Sequence, residues 1–402
     1  MTSTKYRPRT IPITEIEQSA FCRSTSSLKS KTLAEELKAG VRWQTIPAEY
    51  RTLESDQVVE RIRDARAKLG ERIMVLGHHY QRDEVIQFAD FRGDSYNLSK
   101  YAAETKGLEA VIFCGVHFMA ETADVLTDSD VSVILPNLMA GCSMADMAKI
   151  DDVEDCWDEL TEVYGNEKII PITYMNSTAA IKSLCGENEG IVCTSSNATK
   201  VFEWAFERGQ RVLFLPDQHL GRNTGLKLGI PSDEMVVWSP FKGSGGNSLE
   251  QLQKAKVVLW EGHCSVHTRF TVDQVQIARE KHPSVNVIVH PECPQDVLAA
   301  ADMNGSTELI IKTISEAKAG TEWAVGTEIS LVNRLAKEHP DKTVFCLDPV
   351  VCPCSTMYRI HPTYLLWVLE ALNDGVTVNQ ISVDKKTQKN ALVALERMLN
   401  VS

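Results

Sequence analysis

The chain has 402 residues, 43% of them hydrophobic and 24% charged, with a formal net charge of -12. Those proportions belong to a folded globular protein with room for two or three domains, and they exclude a mostly disordered chain. The negative balance argues against a phosphate-backbone footprint, so no nucleic-acid partner is expected. A small anionic substrate would have to be met by local donors.

In chain order, the first forty or so residues come first, with polar, aperiodic segments such as "RPRT" and "CRSTSSLKSKT". They read as a loosely ordered extension with no apolar run fit for a signal peptide or anchor. No later stretch reaches the roughly 18 apolar residues that span a bilayer, so no membrane contact is expected. The eleven cysteines are then expected in a reducing, cytoplasmic setting, where buried, catalytic or metal-binding roles outnumber disulfides.

From residue 53 the charged stretch "LESDQVVERIRDARAKLG" predicts an amphipathic helix ending at Gly70. One unit then recurs: a short β-branched run, a polar or glycine-containing turn, and a helical stretch. "RIMVLGHHY", "AVIFCGVHF", "VSVILPNLMAGC", "IIPITYMNS", "GIVCTSSNA", "RVLFLPDQHLG", "VVLWEGHCSVH", "VNVIVHPEC" and "TVFCLDPVVC" all follow it. Continuous apolar strands alternating with helices predict parallel sheets covered on both faces, an α/β fold.

His78, His79, Tyr80, Cys142, Tyr174, Asn176, Ser195, Cys264, His267, His290, Glu292 and Cys354 all fall just past predicted strand C-termini. That is the edge where open α/β sheets bind ligands. Any one of them could instead cap a helix or satisfy a core hydrogen bond. The shared position of all of them points to a site.

Three cysteines share a Cys-Ser context after an apolar run: "GCSMAD" at Cys142, "HCSVH" at Cys264 and "CPCSTM" at Cys354. This weak repeat hints at three related units, each giving one ligand. No paired CxxC supports a zinc ribbon, and neither the CxxxCxxC pattern nor ferredoxin spacing is present. Three converging thiolates would leave a four-iron cluster with one open iron, a Lewis acid suited to dehydration. Plain burial is the competing account of any cysteine, and it is the expectation for Cys22, Cys114, Cys156, Cys185, Cys193, Cys293 and Cys346.

The stretch "LGHHYQRDEVIQFADFRGDSYNLSKYA", followed in order by "FCGVHFMAETADVL", "LPNLMAGCSMAD", "YMNSTAAIKS", "VCTSSNA", "LPDQHLGRNT", "WEGHCSVH", "VHPEC" and "NGSTELI", closely resembles quinolinate synthase from about residue 70 to 362. The resemblance implies condensation of iminoaspartate with dihydroxyacetone phosphate to quinolinate, releasing phosphate and two waters, in NAD biosynthesis. It implies three homologous, Rossmann-like α/β/α domains around a pseudo-threefold axis, with a [4Fe–4S] cluster where they meet. The expected divisions are an N-terminal extension and helix at 1–66 and units at 67–164, 165–261 and 262–402, the last carrying the C-terminal helices. Functional coupling to L-aspartate oxidase belongs to the same expectation.

Carried over by the same resemblance, Cys142, Cys264 and Cys354 are the metal ligands. Cys352 is the competitor for the third place, and a Cys352–Cys354 disulfide would be a way to switch the cluster off. His78 and Ser95 resemble iminoaspartate-binding residues, with Tyr80 opposite. Asp94 and Ser95 sit on a glycine turn where either a ligand contact or an N-cap is open to Ser95. Tyr174 and Asn176 resemble the pair lining the substrate site. Ser195 is a further contact or the cap of the next helix.

His267 is expected near the cluster, and His290 and Glu292 are candidates for phosphate or carboxylate recognition and proton transfer. Glu292 is the leading base, with Tyr80 in support and His290 beside them, if burial brings the carboxyl toward the working pH. Ser306 and Thr307 open a helix whose N-terminus suits an anionic group. Another open-iron hydro-lyase would fit the three cysteines too, and insensitivity to triose phosphate would distinguish it. An iron–sulfur sensor is the alternative outside enzymes, and a product assay separates it.

Overall fold

The computed structural model describes residues 15–22 and 31–401, with fourteen strands among them. In chain order, β1 (Ile73–His78), β2 (Phe91–Gly93), β3 (Ala110–Cys114) and β4 (Ser132–Ile134) belong to a first sheet. The second sheet holds β5 (Ile169–Tyr174), β6 (Ile191–Cys193), β7 (Arg211–Leu215), β8 (Met235–Trp238) and β9 (Val257–Trp260). The third holds β10 (Asn286–Val289), β11 (Met303–Asn304), β12 (Glu322–Gly326) and β13 (Thr343–Cys346). A last strand, β14 (Gln380–Ile381), returns to the first sheet and pairs antiparallel with β4; every other described pairing is parallel. The protein is a mixed α/β structure built on three separate, largely parallel sheets.

The strand sequences explain this. Every residue of β1, β3 and β5 is buried, as continuous apolar runs must be when helices cover both faces. Each fully buried Val, Leu or Ile contributes on the order of 1.5–3 kcal/mol of transfer free energy. Strand order repeats as well: β4-β3-β1-β2, β9-β7-β5-β6 (with β8 beyond β9) and β13-β12-β10-β11. The first strand of each sheet therefore lies between the second and the third. Chains leaving its C-terminus cross to opposite sides, which opens a crevice there.

The ends of the chain behave differently from the middle. Residues 1–14 and 23–30, including "RPRT" and most of "CRSTSSLKSKT", lie outside the described residues. Between them the helix Glu15–Ser19 places Glu17 against Arg42 (2.6 Å) and the buried Arg359 (2.9 Å). Phe21 packs against the Tyr358 ring with centroids 4.8 Å apart. At the other end, the helix Pro362–Asn373 packs on Ser55–Leu69, and Lys385–Leu399 packs on Ala179–Glu187. Among the described residues no helix is long and apolar enough to cross a membrane.

Candidate functional site

The three first-strand exits deliver their side chains with the same spacing. β1 ends at His78 and is followed by Tyr80; β5 ends at Tyr174 and is followed by Asn176; β10 is followed by His290 and Glu292. The second-strand exits add Ser95, Ser195 and Thr307, and the exits of β4, β9 and β13 lead to Cys142, Cys264 and Cys354. All of these residues, with His267, line one cavity of about 80 Å³. Of the strand-exit and helix-start candidates read from sequence, His79 and Ser306 do not line it, and His79 Nε2 lies instead 2.9 Å from Glu308 Oε1.

Ser306 caps the helix Thr307–Glu316 by accepting from Leu309 N at 3.4 Å, and it borders a neighbouring pocket. Its neighbour Thr307 faces the main cavity. Two capping alternatives resolve the other way. Asp94, not Ser95, caps the helix Ser95–Glu104 by accepting from Tyr96 N and Asn97 N. Asn197 holds the cap position of Ala198–Phe206, and Ser195 is left to line the cavity with Tyr174.

A hydrogen-bonded chain crosses the cavity wall. The Tyr80 hydroxyl lies 2.9 Å from Thr327 Oγ1 and 3.1 Å from Thr307 Oγ1. Thr327 Oγ1 lies 3.1 Å from His267 Nε2, and His267 Nδ1 lies 2.8 Å from Glu292 Oε2. The Tyr174 hydroxyl faces the same carboxylate closely enough for each to shift the other's titration. His290 stacks on His267 with centroids 4.4 Å apart. Thr327 was missed in the sequence, where "GTEIS" looks like any strand-to-helix turn.

Electrostatics assign protonation states along this chain. Burial pushes the Glu292 carboxyl up, but His267 and His290 outweigh it and hold the group at about 2. The carboxyl thus moves away from neutral pH, not toward it as burial alone would dictate. Burial holds His290 down to about 3 and His78 well below its ordinary range, so both imidazoles are neutral. Burial, then the charge of Glu292, lifts the Tyr80 and Tyr174 phenols well above their usual range. At neutral pH Glu292 is therefore a carboxylate, His78 and His290 are neutral imidazoles, and Tyr80 and Tyr174 are phenolic donors.

The three cysteine thiols are also raised, with burial as the first cause. Mutual repulsion adds to it: Cys142 and Cys264 each feel Cys354, and Cys264 also feels Cys142. No lysine or arginine lines the cavity among the described residues. Ionising these thiols needs a counter-charge that the protein does not supply, which is the chemistry of a metal site. Cys264, His267 and Glu292 also bring one donor atom each to within 4.8 Å of one another.

Backbone fit sets the Cys264 approach, since a Cβ at Gly262 would run into the Pro216 carbonyl. Cys354 N donates to Glu328 Oε1 at 3.2 Å. Cys352 is disulfide-bonded to Cys22, not to Cys354. The reason is the N-terminal segment, which Glu17 and Phe21 hold against Arg359 and Tyr358 beside the cysteine loop. Cys114, Cys156, Cys185, Cys193 and Cys293 are buried free thiols, Cys346 is partly buried, and Cys22 departs from the expected burial through its disulfide.

The comparisons with known proteins agree with one another. The family model described as quinolinate synthetase A protein matches residues 60–400. A quinolinate synthase of Corynebacterium glutamicum is 60% identical over 360 residues, covering 90% of this chain and 91% of the relative. One of Rhodopirellula baltica is 54% identical over 88% of this chain and 93% of its own. One of Bacillus cereus is 51% identical over 88% and 96%. The chain belongs to the quinolinate synthase family, enzymes of NAD biosynthesis.

Proposed function

We propose that this protein condenses iminoaspartate with dihydroxyacetone phosphate to quinolinate, releasing phosphate and two waters, with a [4Fe–4S] cluster held by Cys142, Cys264 and Cys354. One observation carries the reading: three thiols from three different sheets reach the cavity that also holds Glu292, His267, His290 and Tyr80. No lysine or arginine lines the cavity among the described residues to meet the substrate oxygens, and a cluster on the three thiols would fill that role locally. When bound, it supplies a Lewis acid with one iron free of protein ligands.

The protein's own groups account for binding and proton movement. Hydroxyl and amide donors of Ser95, Asn176, Ser195 and Thr307 suit the substrate carboxylates and phosphate, and His78 sits beside Ser95 on the cavity. The Glu292 carboxylate accepts a carbon-bound proton, and the raised phenol of Tyr80 donates one to a departing oxygen. The Tyr80–Thr327–His267–Glu292 chain links the two, so a proton taken at one end can be replaced at the other. The neutral His290 is placed to donate to or accept from a bound phosphate or carboxylate.

The instability of an imine in water favours coupling to L-aspartate oxidase, the reaction class that generates it. Thiols required as cluster ligands favour a cytoplasmic setting. The test is an anaerobic assay of the reconstituted protein for quinolinate and phosphate in equal amounts. Glu292→Gln should lower turnover by about a thousandfold or more with the iron–sulfur absorbance unchanged. Normal turnover in that variant refutes the assignment.

A further inference from the structure

The loops after β1, β5 and β10 share a feature that binding and proton transfer leave unexplained. In each, one side-chain group donates to both backbone carbonyls that bracket a cavity residue. Arg334 reaches His79 O from Nη1 at 2.9 Å and Gln81 O from Nη2 at 2.7 Å, bracketing Tyr80. Lys182 Nζ reaches Met175 O at 2.8 Å and Ser177 O as well, bracketing Asn176. Asn223 Nδ2 reaches Pro291 O at 2.9 Å and Cys293 O at 3.0 Å, bracketing Glu292. None of the three donors lines the cavity.

The helices that follow the third strands close a cycle. The helix Ile329–Glu338, after β12, carries Arg334 from the third sheet to the β1 loop of the first. Gln218–Lys227, after β7, carries Asn223 from the second sheet to the β10 loop of the third. His117–Leu126, after β3, carries Glu121 from the first sheet to the β5 loop of the second. There Glu121 accepts from Ala179 N at 2.9 Å and faces the ammonium of Lys182. Each sheet therefore holds the first-strand loop of the next.

The geometry has a physical consequence. In each loop the bracketed residue lies in a turn or bend, where the carbonyls before and after it come within reach of one donor group. A donor that holds both fixes the backbone angles of the residue between them, and hence the direction of its side chain. We infer that Arg334, Lys182 and Asn223 are positioning residues that keep Tyr80, Asn176 and Glu292 aimed into the shared cavity. The inference rests on the assignment of those three residues to the reaction.

A donor that merely satisfied buried carbonyls would affect stability alone. The experiment is a double-mutant cycle on the anaerobically reconstituted holoenzyme, reading quinolinate affinity by calorimetry together with turnover. Asn223→Ala should lower kcat by about tenfold to a hundredfold, the scale of a misplaced catalytic group. It should weaken quinolinate binding in the native background and leave the affinity of Glu292→Gln unchanged. Equal weakening in both backgrounds overturns the inference while leaving the catalytic assignment standing. A Glu292→Gln variant with native turnover and affinity removes the assignment and the inference with it. Arg334→Met, which keeps the apolar stem and removes both donors, gives the same cycle against Tyr80→Phe and decides the matter if Asn223→Ala does not fold.

Discussion

The loops that follow β1, β5 and β10 meet the cysteine loops at one cavity, and the two sets are held in different ways. The first set is bracketed by side-chain donors and tied into a hydrogen-bonded chain, and His78, Tyr174, His290 and Glu292 are all buried. In the second set, Cys142 precedes a short helix without capping it, and Cys354 Sγ has Thr356 Oγ1 as a neighbour at 3.3 Å. All three cysteines are partly exposed and their thiols are pushed toward the protonated form. Under the proposed function, groups that would bind substrate and move protons are preorganised by the protein, whereas the ligand set would be completed by the metal it holds. Changes in the first region should therefore act on turnover, and changes in the second on metal content.

Thr327→Val tests that division most strongly. It preserves shape but breaks the link between Tyr80 and His267, and turnover should fall about tenfold to a hundredfold. Iron content should stay at the native level, and a parallel loss of iron would show that the two regions are not separable.

A smaller effect concerns pH. His290 is held at about 3 against an ordinary value of 6.5, with burial as the main cause. Between those values the unfolded chain binds more protons than the folded one, so stability falls as pH drops from 6.5 toward 3. Glu292, held at about 2 against 4.5, acts in the same direction below pH 4.5. Thermal melts of the metal-stripped protein should show this slope, and His290→Gln should flatten it. Parallel profiles would mean that His290 is not held neutral by the fold.

Much of this site was legible because its residues cluster at one kind of position, the exit of an apolar strand, where a sheet edge cannot avoid meeting a ligand. The alternation of strand and helix was equally clear, since buried parallel strands leave continuous apolar runs. Relations across the seams were hidden. Arg334, Asn223 and the Glu121–Lys182 pair lie on helices that look like any amphipathic stretch, and their partners are backbone atoms, which leave no mark in a sequence. Ser306 read as an anion contact because a helix N-terminus attracts both anions and caps, and local sequence does not separate them. For Cys352 the sequence offered the nearer Cys354 as a switchable partner, because proximity along the chain was the only guide. The partner it has, Cys22, is brought by contacts of Glu17 and Phe21 that lie far away in the chain.

The central claim is that three thiols, one reaching the cavity from each sheet, hold the metal. Its most direct test is the iron and sulfide content and the visible absorbance of anaerobically reconstituted cysteine variants. Cys142→Ser, Cys264→Ser and Cys354→Ser should each lose the brown, oxygen-sensitive absorbance, while Cys352→Ser, Cys293→Ser and Cys346→Ser should keep it. A native spectrum in any of the first three, or its loss in Cys352→Ser with Cys354 intact, would contradict the account.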